Sequence, residues 1–140
     1  MRFLTRKRLG KEAAWNEAMN ACQSYYASIQ SKLPESAINF DKALRRNPLH
    51  DLSILSAESS KGSLTLEFDW YRLCFSGVLR LRLEDKTPLV DDYWLYEEFD
   101  LASGDRFTLN VLLGDNELSL GARDVTFFNK INKQWLVAPK

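Results

Sequence analysis

The residues with the clearest potential for chemistry lie in one ten-residue segment, 91–100. This segment contains five carboxylates and four aromatic rings. Aromatic rings supply contact area at little cost in side-chain entropy, and carboxylates attract a positively charged partner. The pattern therefore predicts a contact surface for a basic protein. Its candidate partner-binding residues are Asp91, Asp92, Trp94, Tyr96, Glu97 and Glu98.

The same segment also has a structural interpretation, as a half-buried strand whose carboxylates lie in solvent at its edges. Aromatic residues alternate onto both faces of this strand, which indicates that it is covered on both sides or lies under helices. Carboxylates also bind hard cations, but the ligand spacing of an EF-hand is absent. The sequence leaves the contact surface and the covered strand as open alternatives.

The single histidine, His50, limits the enzymatic chemistry open to this chain. Histidine is the usual general base, yet no serine or cysteine lies in a nucleophile motif that would need one. Zinc partners at helical or hairpin spacing and glycine-rich phosphate loops are also missing. His50 and Asp51 are therefore candidate ligand contacts, with a turn at the entry to the first strand as the structural alternative. The sequence predicts no catalytic residue, no metal site and no cofactor.

Charge is unevenly distributed along the chain, although the formal net charge is zero. Residues 1–50 hold nine Lys/Arg against four Asp/Glu, whereas residues 51–140 hold ten against fifteen. This asymmetry is typical of a bipolar surface with a charged partner, or of a basic helical layer that attracts an acidic sheet. The basic N-terminal run could contact phosphates. The balanced total and the lack of a recognised motif nevertheless argue against nucleic-acid binding.

The two cysteines and the hydropathy pattern bear on the cellular compartment. Cys22 and Cys74 lack CxxC spacing and predict two buried, reduced thiols rather than a disulfide or a metal knuckle. No apolar run approaches the roughly 18 residues that cross a bilayer. The charged N-terminus lacks the apolar run of a secretory signal. We therefore expect a cytoplasmic protein with no membrane partner.

Two helices and a series of strands must position these residues. Apolar residues recur at spacings of 4, 3, 4, 3 and 4 from Trp15 to Leu33, which predicts an amphipathic helix that packs on the sheet. Pro34 ends this helix and a second, short helix is expected over residues 35–44. A turn at Asn47-Pro48 then separates the helical layer, residues 1–47, from the strands.

After residue 50, apolar and polar residues alternate with a period of two between short turns. Leu64, Leu66, Phe68 and Trp70 share one predicted face, and Leu79, Leu81 and Leu83 alternate with arginines. Parallel strands need crossovers of about a dozen residues, and none is present here. The prediction is a single α+β domain over residues 1–140, in which the helices pack on an antiparallel meander of about six strands over residues 50–130. An exposed sheet edge or the helical stripe leaves a homodimer as a further candidate.

Three short stretches carry a resemblance to a known group of proteins. They are Met1-Arg2-Phe3-Leu4-Thr5, Pro48-Leu49-His50-Asp51, and Trp94-Leu95-Tyr96-Glu97-Glu98 followed by Glu117-Leu118. This combination resembles small bacterial proteins filed under domain-of-unknown-function labels, some of which look like immunity proteins of contact-dependent or secreted toxin systems. The resemblance implies a bacterial, cytoplasmic and non-enzymatic domain, and it supplies no catalytic residues.

The leading hypothesis is therefore a non-enzymatic protein-binding module, an immunity-type inhibitor or an adaptor, that binds a basic partner through segment 91–100. The alternative hypothesis is a small-molecule-binding protein or an enzyme. Its pocket would lie between the helices and the sheet, near His50 and Asp51.

Overall fold

The structure is a computed structural model that describes residues 2–85 and 88–140. Met1, which begins one of the three stretches of the resemblance, lies outside these residues. Within the described ranges the chain forms two α-helices, α1 (Glu12–Ile29) and α2 (Glu35–Arg46), and nine strands. The strands are β1 (Ser56–Ser60), β2 (Ser63–Glu67), β3 (Tyr71–Ser76), β4 (Leu79–Leu83), β5 (Trp94–Leu101), β6 (Phe107–Leu113), β7 (Glu117–Ala122), β8 (Asp124–Asn129) and β9 (Gln134–Val137).

The strands confirm the α+β class but divide into two antiparallel sheets rather than one meander. The five-stranded sheet has the order β1-β2-β3-β8-β9, and the four-stranded sheet has the order β4-β7-β6-β5. The count of about six strands was too low, and the predicted end of the sheet at residue 130 was too early. The region 118–127, expected as one last strand, forms two strands, β7 and β8, in different sheets. The strand β9, with only four residues and no clear alternation, was missed.

A bend in one pair of strands joins the two sheets. The chain passes from β3 to β4 at Gly77 and from β7 to β8 at Arg123, so both strands of the pair change sheets at the same place. The backbone N–H of Arg123 donates to the carbonyl oxygen of Ser76 at 3.0 Å. Gly77 has a φ of +62°, and a Cβ added there would lie 2.7 Å from the Cβ of Arg123. The bend therefore needs a residue without a side chain.

A second connection lies on the other side of the core. Residues 51–54 pair with residues 91–94 at the start of β5, through an antiparallel bridge between Ser53 and Tyr93. The same segment then continues into β1, where the N–H of Leu55 donates to the carbonyl oxygen of Glu67 at 2.7 Å. The two sheets are thus joined at two places around a shared interior.

Phe40 of α2 occupies the centre of that interior. Its fully buried ring makes edge-on contacts with Phe75, Phe99 and Phe127 at centroid distances of 5.8–5.9 Å. Phe99 belongs to the four-stranded sheet, and the other two belong to the five-stranded sheet. Such ring pairs each add about 0.5–1.5 kcal/mol beyond area burial, so one residue of α2 stabilises both sheets together.

The apolar stripe of α1 faces β5, as the helical spacing predicts. The ring of Trp15 packs on Tyr96 at 4.6 Å, and the ring of Tyr26 packs on Phe99 at 5.9 Å. Neither described helix combines the length and the apolar character that a membrane crossing requires.

The predicted face of the second strand extends one residue too far. Leu64, Leu66 and Phe68 are buried, but Trp70 is exposed. The strand β2 ends at Glu67, and the N–H of Phe68 then donates to the carbonyl oxygen of Tyr71 at 2.8 Å in a tight turn. Because the chain reverses there, Trp70 leaves the face that the alternation assigned to it.

The bend at Gly77 generates a stability prediction. We expect Gly77→Ala to lower the free energy of unfolding by about 2–4 kcal/mol, because it combines left-handed backbone strain with a steric clash. Gly62→Ala is the matched control, since Gly62 also has a positive φ, +77°, but no atom within 4 Å of the added Cβ. Urea denaturation measures both variants. Equal losses in the two proteins would contradict close packing at the bend.

Candidate functional site

Burial divides the predicted contact segment 91–100 into two groups. Asp92, Trp94 and Glu98 are buried, with 4% or less of each residue exposed. Asp91 is exposed, and Tyr96 and Glu97 are half-buried. The six residues therefore do not form one continuous surface in this structure, and a partner could reach only the second group.

A β-bulge explains why the alternation misplaced these side chains. Trp94 pairs with Leu113 and Tyr96 pairs with Leu112, so Leu95 is an extra residue that shifts the phase of β5. Beyond the bulge Glu97 falls on the same face as Trp94. The indole N–H of Trp94 consequently donates to Oε2 of Glu97 at 3.2 Å.

Glu98 lies on the opposite face of β5 and holds the N-terminal segment, residues 2–9. Its carboxylate accepts hydrogen bonds from the backbone N–H groups of Arg2 and Phe3, both at 2.9 Å, and of Leu4. The side chain of Leu4, in this segment, is buried. Three converging amide groups are strong donors to a carboxylate, so Glu98 acts as a structural anchor.

Arg6 fixes the other end of the N-terminal segment. Its guanidinium donates to the carbonyl oxygens of Leu113, Gly114 and Asn116 at 2.6–2.9 Å, in the turn between β6 and β7. Part of the basic N-terminal run is thus used within the chain rather than for an external anion.

Asp92 connects two turns inside the protein. Its Oδ1 atom accepts hydrogen bonds from the backbone N–H groups of Tyr93 at 2.8 Å and of Asp115 at 3.0 Å. These contacts tie the entry of β5 to the turn between β6 and β7. The carboxylate that the sequence suggested for a partner therefore has a structural role.

His50 and Asp51 come together, but both nitrogens of the imidazole are engaged within the chain. Nδ1 lies 2.7 Å from the carbonyl oxygen of Leu95, the extra residue of the bulge, and Nε2 lies 3.3 Å from Oδ2 of Asp51. A cavity of about 240 Å³ is lined by His50, Tyr96 and Glu97, without Asp51. The ligand role of His50 and Asp51 stays a prediction, and the contacts favour a structural role.

A second cavity, of about 220 Å³, lies where α1, α2 and β5 meet, and Cys22 and Glu97 both line it. Burial raises the pKa of Cys22 to about 12, with a further contribution from the nearby acids. A thiol with so high a pKa is not ionised at neutral pH and is a poor nucleophile. Within residues 2–85 and 88–140, no group of three metal-ligating side chains comes together.

The strand β4 is the surface that sequence reasoning missed. Leu79 pairs with Gly121 and Arg82 pairs with Ser119, with an irregular register between them and a φ of +55° at Arg80. Ser119 and Gly121 lie at the less buried positions of β7, on its outer face. Paired residues of antiparallel strands share a face, so Leu79 and Arg82 both point to the outer face. All five residues of β4 are exposed. The regular Leu–Arg alternation predicts that all the leucines share one face. It does not reveal the bulge, which places Leu79 on the face of Arg82.

A groove of about 570 Å³ crosses the outer face of the four-stranded sheet beside β4. Arg80 and Arg82 of β4 line it, and so does Arg106, from the turn between β5 and β6. Arg106 is held by a hydrogen bond from its Nε to the carbonyl oxygen of Gly77 at 3.2 Å. The floor is made of the small residues Thr108, Ser119 and Gly121. Among the described residues, none that lines the groove is acidic.

The anchoring role of Glu98 can be tested by removing its charge. We expect Glu98→Gln to lower the free energy of unfolding by about 2 kcal/mol, because the amide replaces a buried charged acceptor by a weaker neutral one. Hydrogen exchange at the amides of residues 2–4 should accelerate in the same variant. Glu58→Gln, at an exposed position on β1, is the control and should change stability by less than about 0.5 kcal/mol. Similar stabilities for the two variants would contradict the anchor.

Glu97 generates a prediction about pH. Burial raises the pKa of its carboxyl group above the ordinary value of 4.5, against the opposing hydrogen bond from Trp94. Between the two pKa values the folded state retains a proton that the unfolded state has released. The contribution of Glu97 to the free energy of unfolding is therefore complete below pH 4.5 and is lost as pH rises through the folded-state pKa. Glu97→Gln removes the titration and should gain stability relative to the wild type as pH rises.

Urea denaturation at a series of pH values measures this difference. Glu58→Gln serves as the control and should follow the wild type at every pH. A constant difference between Glu97→Gln and the wild type would show that the Glu97 carboxyl group titrates normally.

No protein-family model and no curated protein matches this chain. The resemblance to small bacterial immunity-like proteins is therefore untested and stays a prediction.

Proposed function

We propose that this chain is a non-enzymatic protein-binding module that contacts its partner through β4. The observation that carries this proposal is that β4 is an edge strand of the four-stranded sheet with its whole length exposed. An edge strand presents unpaired N–H and C=O groups that can pair with a strand of another chain. Strand addition of this kind is a common mode of peptide recognition.

The apolar side chains of β4 support a binding role for this edge. Leu79, Leu81 and Leu83 are exposed to 51%, 37% and 38%. Exposed leucines on an edge strand are apolar surface that a strand of another chain can cover. Covering each leucine would contribute about 1 kcal/mol from apolar area alone.

The other strands at the sheet edges are less suitable for pairing with a strand of a partner. The edge of β5 is covered by residues 51–54 at its start and by α1, where Tyr25 donates to Asp100 at 2.6 Å. The strand β1, with the sequence Ser-Ala-Glu-Ser-Ser, has no large apolar side chain. The strand β9 is short and lies against α2. Among the described strands, β4 therefore offers the most apolar free edge.

The cellular role that we propose is that of an immunity-type inhibitor or an adaptor in a bacterial cytoplasm. Binding without turnover suits the un-ionised Cys22 thiol and the engaged imidazole of His50. Free, half-buried Cys22 and Cys74 suit a reducing compartment. The exposed Asp91, from the segment that the sequence suggested, is the competing contact point, and a second copy of this chain is a competing partner.

A cross-linking experiment tests the proposed surface. The affinity-tagged chain carries a photoreactive amino acid at position 81, and covalent partners are identified by mass spectrometry from bacterial cells. We expect Leu83→Lys to reduce recovery of the specific partner at least about tenfold, because the lysine removes the apolar contact that the leucine makes with the added strand. Ser59→Lys, at an exposed position on the β1 edge, should leave recovery unchanged.

Two further arms make the outcome decisive. Loss of the partner with Asp91→Lys but not with Leu83→Lys would move the contact to segment 91–100 and contradict the proposal. Light scattering of the purified chain identifies self-association, and a dimer disrupted by Leu83→Lys would replace the separate partner by a second copy. All three substituted residues are exposed, so the variants are expected to fold.

A further inference from the structure

The arginine groove beside β4, defined by Arg80, Arg82 and Arg106, has a lining whose chemistry bears on the kind of ligand it would fit. None of these three guanidinium groups forms an ion pair within the part of the chain that the structure describes. Elsewhere in the described chain Arg72 and Arg123 are paired with carboxylates. Three unpaired arginines around one concave surface attract anionic groups, which guanidinium binds in a bidentate manner.

We propose that the segment that adds to β4 is acidic at alternate positions and inserts its carboxylates into this groove. This inference rests on the proposed function and names the chemistry of the partner. It commits to an extended polypeptide with Asp or Glu facing the arginines and apolar residues on the other face.

The geometry of β4 accounts for the alternation. Arg82 shares the outer face with Ser119, whereas Leu83 pairs with the buried Leu118 on the inner face. Leu81 and Leu83 do not line the groove. Side chains of an added strand also alternate between the two faces. Every second residue of the partner would therefore lie over the groove, and the residues between would cover Leu81 and Leu83.

The groove has room for the acidic side chains because its floor is small. Ser119 offers a hydroxyl donor, and Gly121 has no side chain. Thr108 donates its hydroxyl to the carbonyl oxygen of Leu101 at 3.3 Å. Leu79 and Leu101 border the groove and would cover the methylene groups of a glutamate. The groove thus offers arginines to the carboxylates of the ligand and leucines to its methylene groups.

The lining favours a polypeptide over a nucleic acid. The residues that line the groove in residues 2–85 and 88–140 include no aromatic ring, so they offer no platform for the base stacking that stabilises most single-stranded nucleic-acid complexes. A formal net charge of zero also removes the long-range attraction typical of nucleic-acid-binding proteins. The unpaired backbone groups of β4 match a peptide strand, which a nucleic acid cannot imitate.

Synthetic peptides test this inference without knowledge of the natural partner. Fluorescent peptides of about ten residues alternate Val with Glu, Gln, phosphoserine or Lys, and fluorescence anisotropy measures their dissociation constants for the full chain. The Glu–Val peptide should bind at least about tenfold more tightly than the Gln–Val peptide, because only the former pairs with the arginines. Its binding should weaken between about 0.05 and 0.5 M NaCl.

Charge reversal provides the matched variants. Arg82→Glu should reduce binding of the Glu–Val peptide at least about tenfold and should improve binding of the Lys–Val peptide. Lys61→Glu makes the same change of charge at an exposed turn of the other sheet and should have little effect. Tighter binding of the phosphoserine peptide than of the Glu–Val peptide would overturn the assignment to carboxylates in favour of phosphate.

Hydrogen exchange separates the failure of this inference from the failure of the proposed function. Protection of the amides of residues 79–83 by the Glu–Val peptide is the expected result. Equal binding of the Glu–Val and Gln–Val peptides, with those amides protected, would preserve strand addition and overturn acidic recognition. Binding of a single-stranded RNA probe that depends on Arg82 and leaves those amides unprotected would overturn both proposals, as would binding of no peptide at all.

Discussion

The bent pair of strands at Gly77 and Arg123 is the constraint on which the rest of this structure depends. Because β3 runs into β4 and β7 runs into β8 at one place, the two sheets cannot separate. They must face a common interior, and Phe40 of α2 fills it by contacting rings from both. The left-handed glycine and its close approach to Arg123 make the bend possible.

Two bulges then decide which side chains the sheets bury and which they present. The bulge at Leu95 turns Glu97 toward Trp94 and leaves Glu98 to anchor the N-terminal segment. The irregularity at Arg80 brings Leu79 and Arg82 onto one face. Bulges are frequent where a strand must re-aim its side chains. Beyond the first bulge Glu98 is buried, and beyond the second Arg82 lies on the outer face of its sheet.

The arrangement also accounts for how the two edges of the four-stranded sheet differ. The N-terminal segment donates to Glu98, and Tyr25 of α1 donates to Asp100. Residues 51–54 pair with the backbone of residues 91–94 at the start of β5. In the described chain β4 has no comparable cover, and its leucines and arginines remain available. The most acidic segment of the sequence thus lies at the covered edge of the sheet, and the exposed edge is basic.

The sequence by itself determined the α+β class, both helices, the antiparallel pairing and the apolar stripe from Trp15 that packs on the sheet. These properties follow from local periodicity and turn residues, which depend on near neighbours. Only the tertiary structure decided that Glu98 would meet amides more than 90 residues away and that β4 would lie at an edge. Strand order and bulges arise from contacts between distant segments. A bulge is defined by the pairing with the neighbouring strand, so the alternation within one strand does not reveal it.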